Sequence, residues 1–223
     1  MGEMIEFAIP GSVTAGYLAV PEDQRGPGLV VIQEWWGLVP HIKDVCERFA
    51  AEGFVALAPD LFHGETTTEP DEANKKMMEL DMPRAIKEIS GAVEHLRTRP
   101  ETDGKVGVLG FCMGGALTLA TAANATIDAA VPFYGLPGDG FEPQKISCPV
   151  LGHWAETDDW ATVEKGETLF KQLRDAGVDA TLHVYPGTEH AFFNDSRPEV
   201  YKAEAADQAW RRTLVFLNRH LAD

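Results

Sequence analysis

The stretch from Lys105 to Gly115 reads KVGVLGFCMGG. Val106 to Leu109 is a short apolar run that fits a strand buried on both faces, as in a parallel sheet. Gly110-Phe111-Cys112-Met113-Gly114-Gly115 follows, and then an Ala/Leu/Thr stretch to about Asn124 that reads as a helix. Strand, Gly-x-Cys-x-Gly turn and helix together make a nucleophile elbow with cysteine in place of serine. The turn is so tight that side chains two before and two after the nucleophile would collide with neighbouring strands and helices. The nucleophile itself is held in a strained backbone that projects its side chain out of the sheet. The sulfur also falls at a helix N-terminus, where the backbone dipole favours the thiolate. The pattern is short, and a cysteine is often only a small buried hydrophobe. The strand before it and the helix after it are the context that favours chemistry.

Working outward, Met4 to Ile9 and Val13 to Val20 suggest an antiparallel hairpin at one sheet edge. Pro21 to Pro27 reads as a polar turn, and Gly28 to Gln33 as the first strongly buried strand. Ile42, Val45, Cys46, Phe49 and Ala50 recur at helical spacing between Pro40 and Glu52, and Gly53 closes that helix. Phe54 to Ala58 is a buried strand, and Leu61 to Pro70 a polar loop. Asp71 to about Arg99 is helical with a break near Met82-Pro83; its second piece buries Ile86, Ile89, Val93 and Leu96, with His95 at the boundary. Past the elbow come strands at Ala129 to Tyr134, Val150 to Trp154 and Asp179 to Tyr185. A helix spans Thr162 to Ala176, a loop Pro186 to Pro198, and a final helix Glu199 to His220 with Ala203, Ala206, Trp210, Leu214 and Leu217 facing in. Strands alternate with helices and no repeat or linker interrupts them. The expectation is one α/β domain over residues 1–223, with a mostly parallel, doubly wound sheet and helices on both faces.

The chain has 223 residues, enough for one large α/β domain. Lys plus Arg number 19 against 35 Asp plus Glu, a formal charge of -16. An acidic chain without a basic run lacks the electrostatic footprint for nucleic acid or for an anionic membrane. The three cysteines, Cys46, Cys112 and Cys148, are too few and too odd in number for a disulfide framework and suit a reducing compartment. The first residues, MGEMIEFAIPG, carry acids where a signal peptide needs cations, and no stretch reaches transmembrane length. A cytoplasmic protein is expected, as a monomer or a small homo-oligomer.

In an open parallel sheet the site lies at the carboxyl ends of the strands. Past Gly28–Gln33 comes Glu34. Past Val106–Gly110 comes Cys112. Past Val150–Trp154 come Glu156, Asp158 and Asp159, and past Leu182–Pro186 come Glu189 and His190. Nucleophile, acid and histidine thus follow the chain order of the α/β-hydrolase fold. A thiol needs a base, which an imidazole supplies near neutral pH. The imidazole needs an acceptor on its other nitrogen, which a carboxylate supplies. Among the seven histidines, His190 alone lies in a loop between a late strand and the final helix. His63 follows an early strand, His153 and His183 lie in or at strands, and His41 and His220 look helical and solvated. Periodicity leaves Asp158 and Asp159 open as the acid. Cys46 reads as core packing and Cys148 as structural.

At these residues the chain resembles the dienelactone hydrolases, from about Gly28 to Leu221. The resemblance rests on Gln33-Glu34-Trp35-Trp36-Gly37, Ala58-Pro59-Asp60-Leu61, Gly107 to Gly115, His153 to Trp160, Tyr185-Pro186-Gly187 and His190-Ala191-Phe192. The cysteine in the elbow is its most discriminating mark. The resemblance implies a triad of Cys112, Asp158 and His190, placing the acid at the first aspartate. It implies that Glu34 contacts the thiol and takes its proton when substrate arrives, and that the backbone amides of Trp35 and Met113 form the oxyanion hole. An acyl-thioester intermediate on an ester or lactone follows, with Trp36 and Phe192 at the substrate. Family members bind a substrate carboxylate with arginines after the Ala-Pro-Asp-Leu strand and shortly after the histidine. Here residues 49–74 contain no Lys or Arg, Ala191-Phe192-Phe193-Asn194 follow His190, and Arg197 is displaced. A carboxylate buried without a cation is costly, which puts dienelactone itself in doubt as the substrate.

A different class of function, a small-molecule binding protein on the same scaffold without catalysis, fits the same fold. A metal centre from Cys112, His190 and Asp158 lacks a close ligand pair such as HxxxH or CxxC. No cofactor is expected.

Overall fold

The computed structural model describes residues 2–22 and 25–221. The turn expected at residues 21–27 therefore falls partly outside the described residues, as do the two ends of the expected domain. Among the described residues, eight strands form one sheet in the order β1-β2-β4-β3-β5-β6-β7-β8. β1 (Glu3–Ile9) and β2 (Ser12–Ala19) make the antiparallel hairpin, and β2 pairs antiparallel with β4 (Val55–Pro59). From β4 onward, β3 (Gly26–Ile32), β5 (Thr102–Phe111), β6 (Ala129–Phe133), β7 (Val150–Thr157) and β8 (Ala180–Glu189) run parallel.

The reason lies in the strand sequences. Every residue of β4 and β6 is buried, as an interior strand covered on both faces demands. Along β3, Leu29 and Val31 point into one apolar layer while Val30 and Ile32 point into the other. The first layer is closed by α1 (Pro40–Ala51) and α6 (Ala203–Leu221). The second is closed by α3 (Met82–Arg97), α4 (Met113–Asn124) and α5 (Val163–Asp175). α2 (Pro70–Glu79) precedes α3 and sends Met77 toward the carboxyl ends of the strands.

Local signals set the helix ends. Asp81 caps α3 by accepting from Arg84 N at 3.1 Å, and Thr162 caps α5 through Lys165 N at 3.4 Å. Pro83 falls inside the first turn of α3, where a missing N–H costs nothing. The break between α2 and α3 thus comes at Leu80-Asp81, ahead of the position expected from the proline.

Four other readings need correction. β8 runs on through Pro186 and Gly187 to Glu189, because Thr157 and Glu189 pair and carry both strands beyond their apolar cores. α6 begins at Ala203, and Ala203 itself is exposed; the buried stripe is Ala206, Ala209, Thr213, Leu217 and Leu221. Ile86 is only half-buried, and Glu88 takes an inner position on α3 beside Ile89. His41, read as solvated, is buried in the inner stripe of α1 and bonds Asp195 through Nδ1 at 3.0 Å.

Candidate active site

β5 ends at Phe111, and the chain turns at Cys112 into α4. Cys112 has φ 56° and ψ -116°, outside the comfortable regions for an L-residue. Two glycines make the turn feasible. A Cβ on Gly110 would lie 2.3 Å from Gly114 O, and one on Gly114 would lie 2.5 Å from Ile32 O. The result sets the sulfur at the first turn of α4, facing a cavity of about 400 Å³.

β7 and β8 bring the other two groups. His190 Nδ1 bonds Asp158 Oδ2 at 2.6 Å. Asp158 Oδ1 accepts from the amides of Trp160 and Ala161 at 2.9 and 2.8 Å. The geometry therefore separates the adjacent aspartates: Asp158 is buried and oriented by three donors, while Asp159 is exposed at the cavity rim.

The electrostatics favour charge on both partners. Burial opposes the imidazolium, but the hydrogen bond to Asp158 and the interaction with the nearby Cys112 sulfur, with the negative charge on both, lift it to about 10. Burial likewise opposes the Asp158 carboxylate, yet His190 and the two amides hold it below the usual range. Cys46 and Cys148 are buried, and burial pushes both thiols up, Cys148 to about 12.

Glu34 lies just past β3 and lines the same cavity. Burial raises its carboxyl; His41, the amide of Asn194, His190 and Arg197 act against that rise. Its side-chain hydrogen bond comes from Asn194 Nδ2 at 2.6 Å, where a contact with the thiol was expected. Asn194 thus belongs to the site; nothing local marks it, because its partner lies 160 positions away. Trp35 and Trp36 form one wall, their rings 5.1 Å apart and edge-on. The bridge between Gly37 and Thr66 anchors that wall to the loop after β4. Among the described residues, neither the Trp35 nor the Met113 amide meets a backbone carbonyl.

Two expectations change here. Phe192 is fully buried among Tyr134 and Tyr185 and does not line the cavity. It sits behind the site as core, because the loop after His190 folds back over the sheet. Arg197, described as displaced by its spacing, does line the cavity. Its guanidinium lies 5.5 Å from the Trp36 ring and bonds Glu199 at 2.8 Å. Met77, Trp160 and Val200 complete an apolar mouth. Among the described residues, no three His, Cys, Asp or Glu side chains are grouped as a metal centre, and no helix is long and apolar enough to cross a membrane.

Comparison with known proteins identifies the family. The sequence pattern of the Dienelactone hydrolase family matches residues 14–221. Protein usf of Aquifex pyrophilus is 39% identical over 99% of this chain and 100% of its own length. A protein of Aquifex aeolicus, provisionally named a carboxymethylenebutenolidase, is 36% identical over 99% of this chain and 100% of its own. A Klebsiella pneumoniae structure, provisionally titled a dienelactone hydrolase, superposes with a TM-score of 0.83 at 29% identity, covering 96% of this chain and 98% of that one.

Proposed function

The chain belongs to the dienelactone hydrolase family and is a carboxylic ester hydrolase, and from that premise we propose that it cleaves an ester or lactone through Cys112, His190 and Asp158. The observation that carries this reading is the oriented pair: His190 is held by Asp158 at 2.6 Å and lines the same cavity as the sulfur of Cys112. The thiolate attacks the carbonyl carbon, and the developing oxyanion takes hydrogen bonds from the Trp35 and Met113 amides. As the C–O bond breaks, His190 passes its proton to the departing alkoxide. Water then attacks the thioester, giving its proton to His190, and the thiolate is expelled with the carboxylic acid. In a lactone the alcohol stays tethered to the acid product. Asp158 holds the tautomer and the charge of the ring. Glu34, buried and raised, is suited to accept the thiol proton as the nucleophile ionises.

The substrate we infer is an uncharged ester or lactone with an apolar body. Trp35, Trp36, Met77, Trp160 and Val200 offer apolar surface, while Glu34, Asp158, Asp159 and Glu189 face the same space. Among the described residues, Arg197 is the one Lys or Arg on that lining, and Glu199 already engages it. The three free cysteines suit a reducing, cytoplasmic setting. The test is hydrolysis of activated aryl esters and lactones by the purified protein and by Cys112→Ala. The reading requires the variant to lose ~10³-fold or more of kcat/KM; retention of wild-type turnover would refute it.

A further inference from the structure

Tyr134 follows the last residue of β6, the strand next to the elbow. Cys112 N donates to Phe133 O at 3.0 Å, and a Cβ on Gly135 would fall 2.6 Å from Cys112 O. Tyr134 is therefore fixed between two residues that touch the backbone of the nucleophile. Its own amide donates to His153 O at 2.7 Å. Its φ is +34°, a conformation that a bulky side chain takes only when its surroundings impose it. The ring is fully buried and stands edge-on to His190, with centroids 4.9 Å apart at 61°.

Yet the hydroxyl of this ring, buried as it is, has no hydrogen-bond partner among the described residues. A buried donor left unpaired is destabilising, and such a group in a folded protein calls for a reason. Burial and then the negative charges of Glu34 and Cys112 hold the phenol well above its usual range, so the group keeps its proton. In the resting arrangement Asn194 serves Glu34 and His190 bonds Asp158. The tyrosine O–H is the donor left over, on a ring that stands against His190 and feels the charge of Glu34 and Cys112.

Resting on the reading of Cys112 as nucleophile, we propose that the Tyr134 hydroxyl donates a hydrogen bond to the ionised sulfur. The bond forms as the thiolate forms, and again when the tetrahedral intermediate expels it. It stabilises the charge left on the sulfur once the proton has passed to Glu34. The tyrosine gives up no proton and forms no covalent bond; only its hydrogen bond changes partner.

Tyr134→Phe removes this oxygen and little else. Activity and stability are then expected to separate. The variant loses ~10- to 100-fold in kcat/KM, the size of one hydrogen bond to a charged group. The pH profile for alkylation of Cys112 by iodoacetamide moves up by about one to two units. The melting temperature stays level or rises by about 2–4 °C, since an unpaired buried hydroxyl is gone. Wild-type kcat/KM with an unmoved alkylation profile would overturn the proposal. So would a lower melting temperature or a failure to fold, because the hydroxyl would then be a structural partner. Cys112→Ala, assayed alongside, separates the two levels. If it keeps activity, the nucleophile itself is wrongly assigned. If it is inactive while Tyr134→Phe matches wild type, only the role of Tyr134 falls.

Discussion

His190 is pulled in two directions, and the winner decides both reactivity and stability. Burial favours the neutral ring, while Asp158 and the sulfur favour the cation and hold it to about 10, above the ordinary 6.5. A raised folded value means that the protonated ring adds stability in full below about 6.5, and that this share is lost as pH rises through about 10. Denaturant unfolding of wild type and His190→Gln should therefore differ most at about pH 6.5 and below, and converge above that upper value. A gap that stays constant with pH would show that the ring carries no extra proton. Several residues of the site were legible one by one. Glu34, Cys112, Asp158 and His190 all stand just past strands, and their residue types name their chemistry. Tyr134 stands just past β6 and would have passed the same filter, had the strand not been read one residue too long. His41 was also within reach: it lies four residues before Val45 and eight before Phe49, on the apolar stripe of α1. Asn194 was not, since nothing local marks a side chain whose partner comes from another strand.

The element that positions the sulfur is the β5-turn-α4 unit, and its tolerance is set by backbone rather than by side chains. A methyl on Gly114 would meet Ile32 O at 2.5 Å and Gln33 O at 2.6 Å. Those carbonyls lead directly into Glu34 and Trp35, so relief of the clash must move the proposed oxyanion loop. Gly114→Ala is expected to cost about 1–3 kcal/mol and to lower kcat/KM further than that destabilisation explains. Gly138→Ala, where an added methyl meets nothing within 4 Å, should match wild type in urea unfolding and in turnover. Equal behaviour of the two variants would contradict the close packing of the elbow. The interior strands were readable because burial on both faces leaves an unbroken apolar run. The extensions of β7 and β8 were not, because Pro186 and Gly187 signal a turn locally while the pairing of Thr157 with Glu189 overrides them.

Across the whole molecule, a charge of -16 surrounds a cavity that already holds four acidic side chains and one arginine. Such a field disfavours the approach of anions and is screened by salt. Neutral aryl esters or lactones should thus exceed matched carboxylate-bearing ones in kcat/KM, and the ratio should shrink as ionic strength rises. A preference for the carboxylate-bearing partner, abolished in Arg197→Gln, would instead make the arginine an anion anchor. The global layout was open to sequence reading because alternating strands and helices allow few topologies. The cavity was not, since α2 and the loops after β3, β7 and β8 are brought together only by folding.

One measurement reaches the centre of the account. The protein is quenched in acid during turnover of a slowly hydrolysed aryl ester, and its peptides are weighed by mass spectrometry. One acyl group is expected, on the peptide carrying Cys112, removed by hydroxylamine and missing from Cys112→Ala. Steady turnover with the acyl group on another residue would contradict it, as would persistence of that adduct in the variant.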